Sequence, residues 1–273
     1  MKELMFLNGK LLPIEEAWIS ASSPGFLLGW GLFETMRSYK NKIVYFDAHL
    51  KRILNSSKLI GIKSPYSAER LKKAINETVK INGFKDSYVR LTITKSKIGT
   101  DTMVTGKKYT PYPNSKYKLG LRACFSAFRQ NNYPENLSLK TTSRLIFELA
   151  FKQAKSGGFD EGLILNSSGY ICEGTRSNIF IIKGKTLFTP SLSCACLDGI
   201  TRRAILDLSL KFKVDFKEGL FTIQDLYNAD EAFLTNSLMG VMPLAIVEKE
   251  KIGSGRRGLL TAFFLEKYNS LLK

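Results

Sequence analysis

The sequence of 273 residues contains no long apolar run, and it has only four cysteines. No stretch approaches the roughly 20 apolar residues of a membrane helix, so we predict no membrane association. The first residues, MKELMFLNGK, lack the apolar region and the small-residue cleavage site of a secretion signal. The cysteines are unevenly spaced and mostly in apolar surroundings, which suits reduced thiols. Together these absences predict a cytoplasmic protein.

Histidine and acidic residues are also scarce. His49 is the only histidine, and the sequence offers no partner motif for a catalytic triad. A metal site is disfavoured as well, because Cys194-x-Cys196 has no second pair. The 24 Asp and Glu face 41 Lys and Arg, giving a net charge of +17. The basic residues are spread along the chain without a nucleic-acid-binding motif, so we favour a lysine-rich surface over a nucleic-acid partner.

The spacing of apolar residues predicts an α+β protein in two halves. Strand-like alternation in GLFETMRSYKNKIVYF and SYVRLTITKS is interleaved with helical spacing in DAHLKRILNSSKLIGI and after Ser67. Residues 99–118 are polar, with glycine and two prolines, and indicate a loop that connects domains. We therefore predict an N-terminal domain, 1–118, and a C-terminal domain, 119–273, with mixed or antiparallel sheets and helices.

Three charged residues occur in contexts that suit a ligand site. Glu173 interrupts GYICEGTRSNIFII, which otherwise has the pattern of two strands, so a turn or a bound partner is expected there. Lys140, in SLKTTSRL, precedes a predicted helix, and on its own it is most simply a solvated lysine. In HLKR the i, i+3 spacing places His49 and Arg52 on one helix face. Arg52 is either a phosphate partner or a surface arginine.

Two polar segments add candidate anion-binding groups. Gly199 precedes a predicted helix that begins Ile200-Thr201, and N–H groups at a helix N-terminus suit a phosphate. On this motif alone, an ordinary helix cap is the better explanation. Asn236 and Ser237 follow a predicted strand, where amide and hydroxyl groups either bind phosphate oxygens or form a polar turn.

In their order along the chain, these motifs resemble the fold-type IV enzymes that depend on pyridoxal 5'-phosphate (PLP). The resemblance begins at GFLLGWGLFETMR and continues through HLKR, the lysine before a helix, EGTRSNIF, LDGITR and NSLMGVMPL. The family includes branched-chain and D-amino-acid aminotransferases and 4-amino-4-deoxychorismate lyases. It implies a two-domain α+β fold with a pseudo-barrel C-terminal domain, PLP in the cleft between the domains, and a homodimer.

The resemblance also implies a role for each matching residue. Lys140 forms the internal aldimine with PLP and later moves the substrate α-proton, while Glu173 lies against the pyridine nitrogen. The residues implied to bind the phosphate are Arg52, Ile200, Thr201 and Ser237, with Asn236 nearby. The chemistry agrees, because PLP needs an amine for its aldehyde, a carboxylate for its ring nitrogen and an anion site for its phosphate.

Within the family, GLFETMR, RLIFELA and NSLMGVMPL look most like the lyases, which convert 4-amino-4-deoxychorismate to 4-aminobenzoate and pyruvate. We therefore expect this folate-precursor reaction. The alternative is an aminotransferase of branched-chain or D-amino acids with a 2-keto acid acceptor. Two departures from the lyase pattern are Ser143, where the lyases commonly have asparagine, and the lysine-rich loop after VRLTIT. Arg37 and Arg90 are candidates for binding the carboxylate of a small amino-acid-like substrate, and a structural ion pair is equally open for each.

Overall fold

A computed structural model describes residues 3–131 and 138–272 of the chain. The chain forms two compact units. The first consists of Met1–Thr110 with Leu139–Arg144, and the second of Pro111–Ser138 with Leu145–Lys273. The sequence predicts one boundary, at residue 118. In the structure the chain leaves the first unit at residue 110 and returns to it for the six residues that contain Lys140.

The first unit is built on a six-stranded antiparallel sheet. Its strands are β1 (Leu4–Leu7), β2 (Lys10–Pro13), β3 (Gly31–Tyr39), β4 (Lys42–Ile43), β5 (Ser87–Lys95) and β6 (Thr100–Lys108), in the order β2-β1-β6-β5-β3-β4. Its helices are α1 (Pro24–Leu27), α2 (Phe46–Leu59) and α3 (Ala68–Ile81), and a short 3₁₀ helix covers Ile14–Glu16. The Ser67 hydroxyl accepts the Arg70 N–H, which confirms Ser67 as the N-cap of α3.

One face of this sheet forms the core of the first unit. Alternate residues of β3 and β5, among them Leu32, Met36 and Leu91, pack with Ile53 of α2 and Ile75 of α3. Side chains alternate along a strand, so the residues between these core positions point to the opposite face of the sheet. That opposite face therefore carries Phe33 and Arg90, which matter for the site described below.

The prediction of a loop over residues 99–118 is wrong. The segment contains the nine-residue strand β6, which lies between β1 and β5, and then helix α4 (Asn114–Leu119). Two of its polar residues contact Asn8, in the connection between β1 and β2: Asn8 donates from Nδ2 to Asp101 at 2.8 Å, and the Thr102 N–H donates to Asn8 Oδ1. A polar strand of this kind lacks the apolar alternation on which the prediction depended.

The second unit is built on a nine-stranded mixed sheet. Its strands are β7 (Leu121–Gln130), β8 (Glu161–Asn166), β9 (Ile171–Gly174), β10 (Asn178–Lys183), β11 (Thr186–Pro190), β12 (Phe216–Gly219), β13 (Glu231–Asn236), β14 (Gly240–Val247) and β15 (Glu250–Lys251). The order is β12-β11-β10-β13-β14-β7-β8-β9, with β15 on β14. Strand β7 is parallel to both β14 and β8, and β11 is parallel to β12.

Four more helices complete the second unit in addition to α4. They are α5 (Leu145–Ser156), α6 (Ile200–Phe212), α7 (Ile223–Tyr227) and α8 (Leu259–Ser270), and a 3₁₀ helix covers Leu192–Cys194. The helix predicted after Gly199 is thus confirmed as α6. In the described ranges, no helix of either unit has both the length and the apolar content that a membrane crossing requires. The predicted class, α+β with mixed and antiparallel sheets, is confirmed.

Candidate functional site

Lys140 is held in register with β3 by backbone hydrogen bonds. The Phe33 N–H donates to the Lys140 carbonyl at 2.9 Å, and the Thr142 N–H donates to the Gly31 carbonyl at 2.9 Å. Between them, Leu32 and Thr141 form an antiparallel bridge. The segment 139–144 therefore behaves as a short extra strand on β3, which explains why it belongs to the first unit.

The ring of Phe33 is surrounded by three cationic side chains. The Arg90 guanidinium carbon lies 3.8 Å from the ring centroid, Lys140 Nζ 4.8 Å, and the Arg144 guanidinium carbon 5.9 Å. Arg90 also donates from Nε to the Thr92 hydroxyl at 3.2 Å. Cations that converge on one aromatic ring create a positive potential suited to an anion. Arg90 and Lys140 thus approach the same ring, as is required if Arg90 binds the carboxylate of a substrate that reacts at Lys140.

Arg37 has a different environment. Its Nε and Nη2 donate to the two Asp86 carboxylate oxygens at 3.1 and 2.8 Å, and its guanidinium carbon lies 4.4 Å from the Tyr109 ring centroid. A bidentate pair of this geometry fixes the guanidinium and neutralises its charge. For Arg37 the structure favours the ion-pair alternative over a role in substrate binding.

Arg52 belongs to a buried ion cluster with Glu34 and His49. Arg52 Nε and Nη2 donate to the Glu34 carboxylate at 2.6 and 2.7 Å, and His49 Nδ1 lies 2.7 Å from Glu34 Oε2. Burial raises the pKa of Glu34, but Arg52 and the His49 hydrogen bond outweigh it and hold the pKa at about 2. Since an ionised carboxylate only accepts hydrogen bonds, Nδ1 of His49 carries the proton. Glu34 thus fixes the orientation of the arginine predicted to bind phosphate.

We expect Glu34→Gln to destabilise the chain strongly in the absence of cofactor. The amide leaves Arg52 facing a neutral group in a largely buried position, and breaking a buried ion pair from one side costs about 3 kcal/mol. Urea unfolding of the cofactor-free protein measures the loss. Glu77→Gln is the matched control, because Glu77 pairs with Arg70 at 3.5 Å on an exposed face, where a pair contributes about 1 kcal/mol or less. Equal losses in the two variants would contradict a buried pair.

Glu173 is held as a buried carboxylate at the end of β9, with 7% of its surface exposed. Its Oε2 accepts the Leu197 N–H at 3.0 Å and lies 3.4 Å from Nδ2 of Asn178. Asn178 also donates from Nδ2 to the Leu197 carbonyl at 2.7 Å. These contacts fasten the carboxylate to the loop that leads into α6 and fix its orientation.

The N-terminus of α6 follows at the end of the same loop. Gly199 is the N-cap and provides no side chain. Within the described part of the chain, no cap side chain therefore accepts from the first N–H groups of the helix, which include those of Ile200 and Thr201. A Cβ at residue 199 would overlap Oδ1 of Asn178, so a larger residue here would displace the Asn178 side chain. The Thr201 hydroxyl is buried and has no hydrogen-bond partner among the described residues. An uncapped helix start beside an unpartnered buried hydroxyl is well suited to an anion.

Asn236 and Ser237, both predicted to bind phosphate, lie at the end of β13 and in the turn to β14. Asn236 Oδ1 accepts the N–H groups of Leu238 and Met239 at 3.0 and 2.9 Å, and its Nδ2 donates to the Arg176 carbonyl at 3.0 Å. Asn236 therefore shapes the turn between β13 and β14 and ties it to the segment after Glu173. The Asn236 side chain is thus used to build the turn, and the Ser237 hydroxyl is the group here that stays a candidate for binding phosphate.

Comparison with known proteins places the chain in a family. A family model described as amino-transferase class IV matches residues 31–247, most of the chain. The chain belongs to the class IV aminotransferase family. Members of this family depend on PLP, so the predicted cofactor and the prediction of a fold-type IV PLP enzyme are confirmed.

Relatives within the class IV aminotransferases cover nearly the whole chain. A branched-chain-amino-acid aminotransferase of Pseudomonas aeruginosa is 30% identical over 287 residues, covering 98% of this chain and 92% of its own. An aminodeoxychorismate lyase of Bacillus subtilis is 27% identical over 260 residues, covering 92% and 89%.

Solved structures of class IV aminotransferases have the same fold as this chain. The branched-chain aminotransferase of the archaeon Thermoproteus uzoniensis, solved with norvaline, has a TM-score of 0.90 and 30% identity, covering 100% of this chain and 95% of its own. A second branched-chain amino acid aminotransferase, solved with pyridoxamine 5'-phosphate, has a TM-score of 0.92 and 27% identity, covering 100% and 94%. The similarity therefore extends over both units.

The residues present fit the cofactor of a class IV aminotransferase. The Thr201 hydroxyl, which has no partner within residues 3–131 and 138–272, and the N–H groups at the start of α6 supply donors for a phosphate. The Glu173 carboxylate is buried and oriented, as a partner of a protonated ring nitrogen must be. Lys140 supplies an amine.

Sequence reasoning missed the residues that hold these groups in place. Glu34, which orients Arg52, lies eighteen residues away in the chain, and the only signal was a carboxylate inside the strand-like GLFETMR. Asn178, which contacts the loop before α6, was visible only as part of EGTRSNIF. Glu161, considered below, stood in no motif that the sequence singled out.

Proposed function

We propose that the chain is a PLP-dependent aminotransferase that moves the amino group of a branched-chain amino acid to a 2-keto acid. The observation that carries this proposal is the end-to-end similarity to branched-chain aminotransferases in both sequence and structure. The sequence motifs favoured the lyase instead. Those motifs are three short segments, whereas the comparisons cover nearly the whole chain.

In the first unit, Lys140 is assigned to bind the cofactor aldehyde through Nζ and then to move the proton of the substrate α-carbon. Backbone pairing with β3 limits the freedom of that side chain. Arg90, beside the same Phe33 ring, is assigned to the substrate carboxylate. Arg52, oriented by Glu34, is assigned to the phosphate.

In the second unit, the Ile200 and Thr201 N–H groups and the Thr201 and Ser237 hydroxyls are assigned to the phosphate. Glu173 is assigned to the ring nitrogen, which it keeps protonated. When bound, PLP supplies an electron sink that stabilises negative charge on the substrate α-carbon. The assignments thus divide between donors that retain the cofactor and one carboxylate that sets its electronics.

Half-reactions test the proposal directly. The PLP-loaded protein is mixed separately with L-leucine, L-isoleucine, L-valine and D-alanine, and the visible band is followed for conversion to the pyridoxamine form. We expect rapid conversion with the branched L-amino acids and return of the band on adding a 2-keto acid. Failure of all branched amino acids to change the band would reject the proposal.

The lyase remains a second candidate because of the similarity to the Bacillus subtilis enzyme and because of NSLMGVMPL. Supplying 4-amino-4-deoxychorismate and measuring 4-aminobenzoate and pyruvate decides between the two. Release of both products at a rate above that of the transamination half-reaction would reverse the order of the candidates.

We also propose that the chain forms a homodimer. Residues 17–33 contain no charged residue in a chain of net charge +17, and they expose several large apolar side chains, including Trp18 at 81% and Leu28 at 70%. An apolar surface of this kind marks an interface, and like-charged copies approach most easily where charge is absent. We expect Leu28→Glu to lower the sedimentation mass to that of a monomer. Leu259→Glu, at a leucine exposed by 90% on α8, is the control and keeps the wild-type mass.

Cytoplasmic residence is retained as a proposal. All four cysteines are free and buried. Burial, with the Glu173 charge adding to it, raises the pKa of Cys172 and of Cys196, so both thiols stay protonated and unreactive. Such thiols suit a reducing compartment. Cell fractionation with a tagged chain provides the check.

A further inference from the structure

Glu161, the first residue of β8, is a buried carboxylate outside the set assigned to the cofactor. Its Oε1 accepts the Gly162 N–H at 3.0 Å and the Thr175 hydroxyl, and its Oε2 accepts the Ser177 hydroxyl at 3.1 Å. Thr175 and Ser177 both belong to the short turn between β9 and β10. One carboxylate thus receives two hydroxyls from a single turn.

This arrangement is costly for a purely structural contact. Burial raises the pKa of Glu161, and the three hydrogen bonds oppose that rise only in part. Among the described residues no lysine or arginine forms an ion pair with it, and the Arg176 charge opposes the effect of burial only in part. A buried polar group that an apolar side chain could replace needs a further reason.

The turn that Glu161 holds lies between Glu173 and Asn178, whose side chains meet at 3.4 Å. It is closed by the Gly174 N–H donating to the Ser177 carbonyl at 2.7 Å. It is also fixed to β8, because the Thr175 N–H donates to the Gly162 carbonyl at 2.9 Å.

The turn is also tightly packed against the Glu161 side chain. A Cβ on Gly174 would overlap the Ser177 hydroxyl and would lie 3.2 Å from Cγ of Glu161. The backbone next to Glu173 is therefore close to the Glu161 side chain on one side. A shift of Glu161 or of either hydroxyl moves the start of this turn, and with it the direction in which the Glu173 carboxylate points.

We infer that Glu161, acting through the Thr175 and Ser177 hydroxyls, is a positioning residue that sets the Glu173 carboxylate against the cofactor ring nitrogen. This inference rests on the role of Glu173 in the proposed function. Glu161 itself touches neither cofactor nor substrate. Its removal changes the proton on the ring nitrogen and the rate, while the donors that retain the phosphate are unaltered.

The test uses PLP labelled with ¹⁵N in the ring, bound to the full chain, with the ring-nitrogen chemical shift as the readout. We expect the signal of Glu161→Gln to move from the wild-type position toward that of Glu173→Gln. In the same variant kcat falls about tenfold, as expected for misplacing a group that acts in the transition state, and KM changes little. Thr175→Val reproduces the shift, and Thr175→Ser, which keeps the hydroxyl, restores the wild-type signal.

Glu231→Gln is the matched control. Glu231 begins β13 in the same unit and accepts the Leu260 and Thr261 N–H groups at 3.0 and 2.8 Å, so its loss weakens the fold without touching the turn. We expect its ring-nitrogen signal to stay at the wild-type position. A Glu161→Gln protein that loses stability like the control and keeps the wild-type signal overturns the inference. The two Thr175 variants decide the matter if Glu161→Gln does not fold.

Failure of the inference is distinct from failure of the proposed function. A wild-type chain that binds no PLP gives no ring-nitrogen signal and rejects the proposed function. A wild-type chain with a protonated ring nitrogen, together with an unchanged Glu161→Gln signal, rejects only the positioning role.

Discussion

Replacement of Lys140 by alanine abolishes both the covalent retention of PLP and all measurable turnover. No other group is assigned to bond the cofactor aldehyde, and the same amine moves the α-proton, so one substitution removes two functions. Borohydride reduction followed by peptide mass spectrometry locates the modified residue: the wild-type chain carries the reduced cofactor on the peptide containing Lys140. The variant is expected to show no reducible visible band.

The control for this experiment is Lys80→Ala, which removes an exposed lysine from the end of α3. It retains the band and the wild-type rate. Because Lys140 is aligned on β3 through its backbone, the alanine variant keeps the pairing of 139–144, and its unfolding midpoint stays close to that of the cofactor-free wild type. A reducible chromophore that persists in the Lys140 variant assigns the covalent role to another lysine.

Replacement of Glu173 by glutamine leaves much of the PLP bound and removes most of the rate. An amide keeps the shape and can still accept the Leu197 N–H, but it cannot hold a proton on the ring nitrogen by charge. The loss in kcat is expected to reach about 10²-fold, typical of deleting one preorganised electrostatic partner. Cofactor content from absorbance and kcat from the half-reaction measure the two effects separately.

Glu148→Gln is the control for Glu173, because its carboxylate forms an exposed pair with Arg176 at 2.7 Å in the same unit. It is expected to change neither cofactor content nor rate by more than about twofold. A Glu173→Gln enzyme with normal turnover contradicts the assignment of this carboxylate to the ring nitrogen.

Local patterns were sufficient to predict the elements on which the site depends. The start of α6 after Gly199 and the Ser67 cap of α3 follow from glycine, hydroxyl residues and helical spacing within a few positions. The candidate status of Lys140 and Glu173 came from the order of motifs along the chain. These features need no knowledge of which distant segments meet.

The remaining features depend on contacts between distant residues, which no local pattern reveals. Strand β6 accommodates the polar Asp101 because that side chain accepts a hydrogen bond from Asn8, which lies far away in the sequence between β1 and β2. The segment around Lys140 joins the first unit through backbone pairing with β3, to which its side-chain sequence gives no clue. The choice of activity shows the same limit: three short motifs favoured the lyase, whereas similarity over the whole chain favours the aminotransferase.

The Glu34–His49–Arg52 cluster makes the stability of the folded chain depend on pH. Burial above all lowers the pKa of His49 from 6.5, although its hydrogen bond to Glu34 works against this, and the pKa of Glu34 is held at about 2 against 4.5. Both groups bind protons more weakly in the folded chain than in the unfolded chain. Their stabilisation is therefore complete above 6.5, declines first through His49 as the pH falls, and declines again through Glu34 between 4.5 and 2. We therefore expect acid to loosen Arg52, the arginine proposed to bind phosphate, so that proton uptake by the cluster weakens cofactor binding.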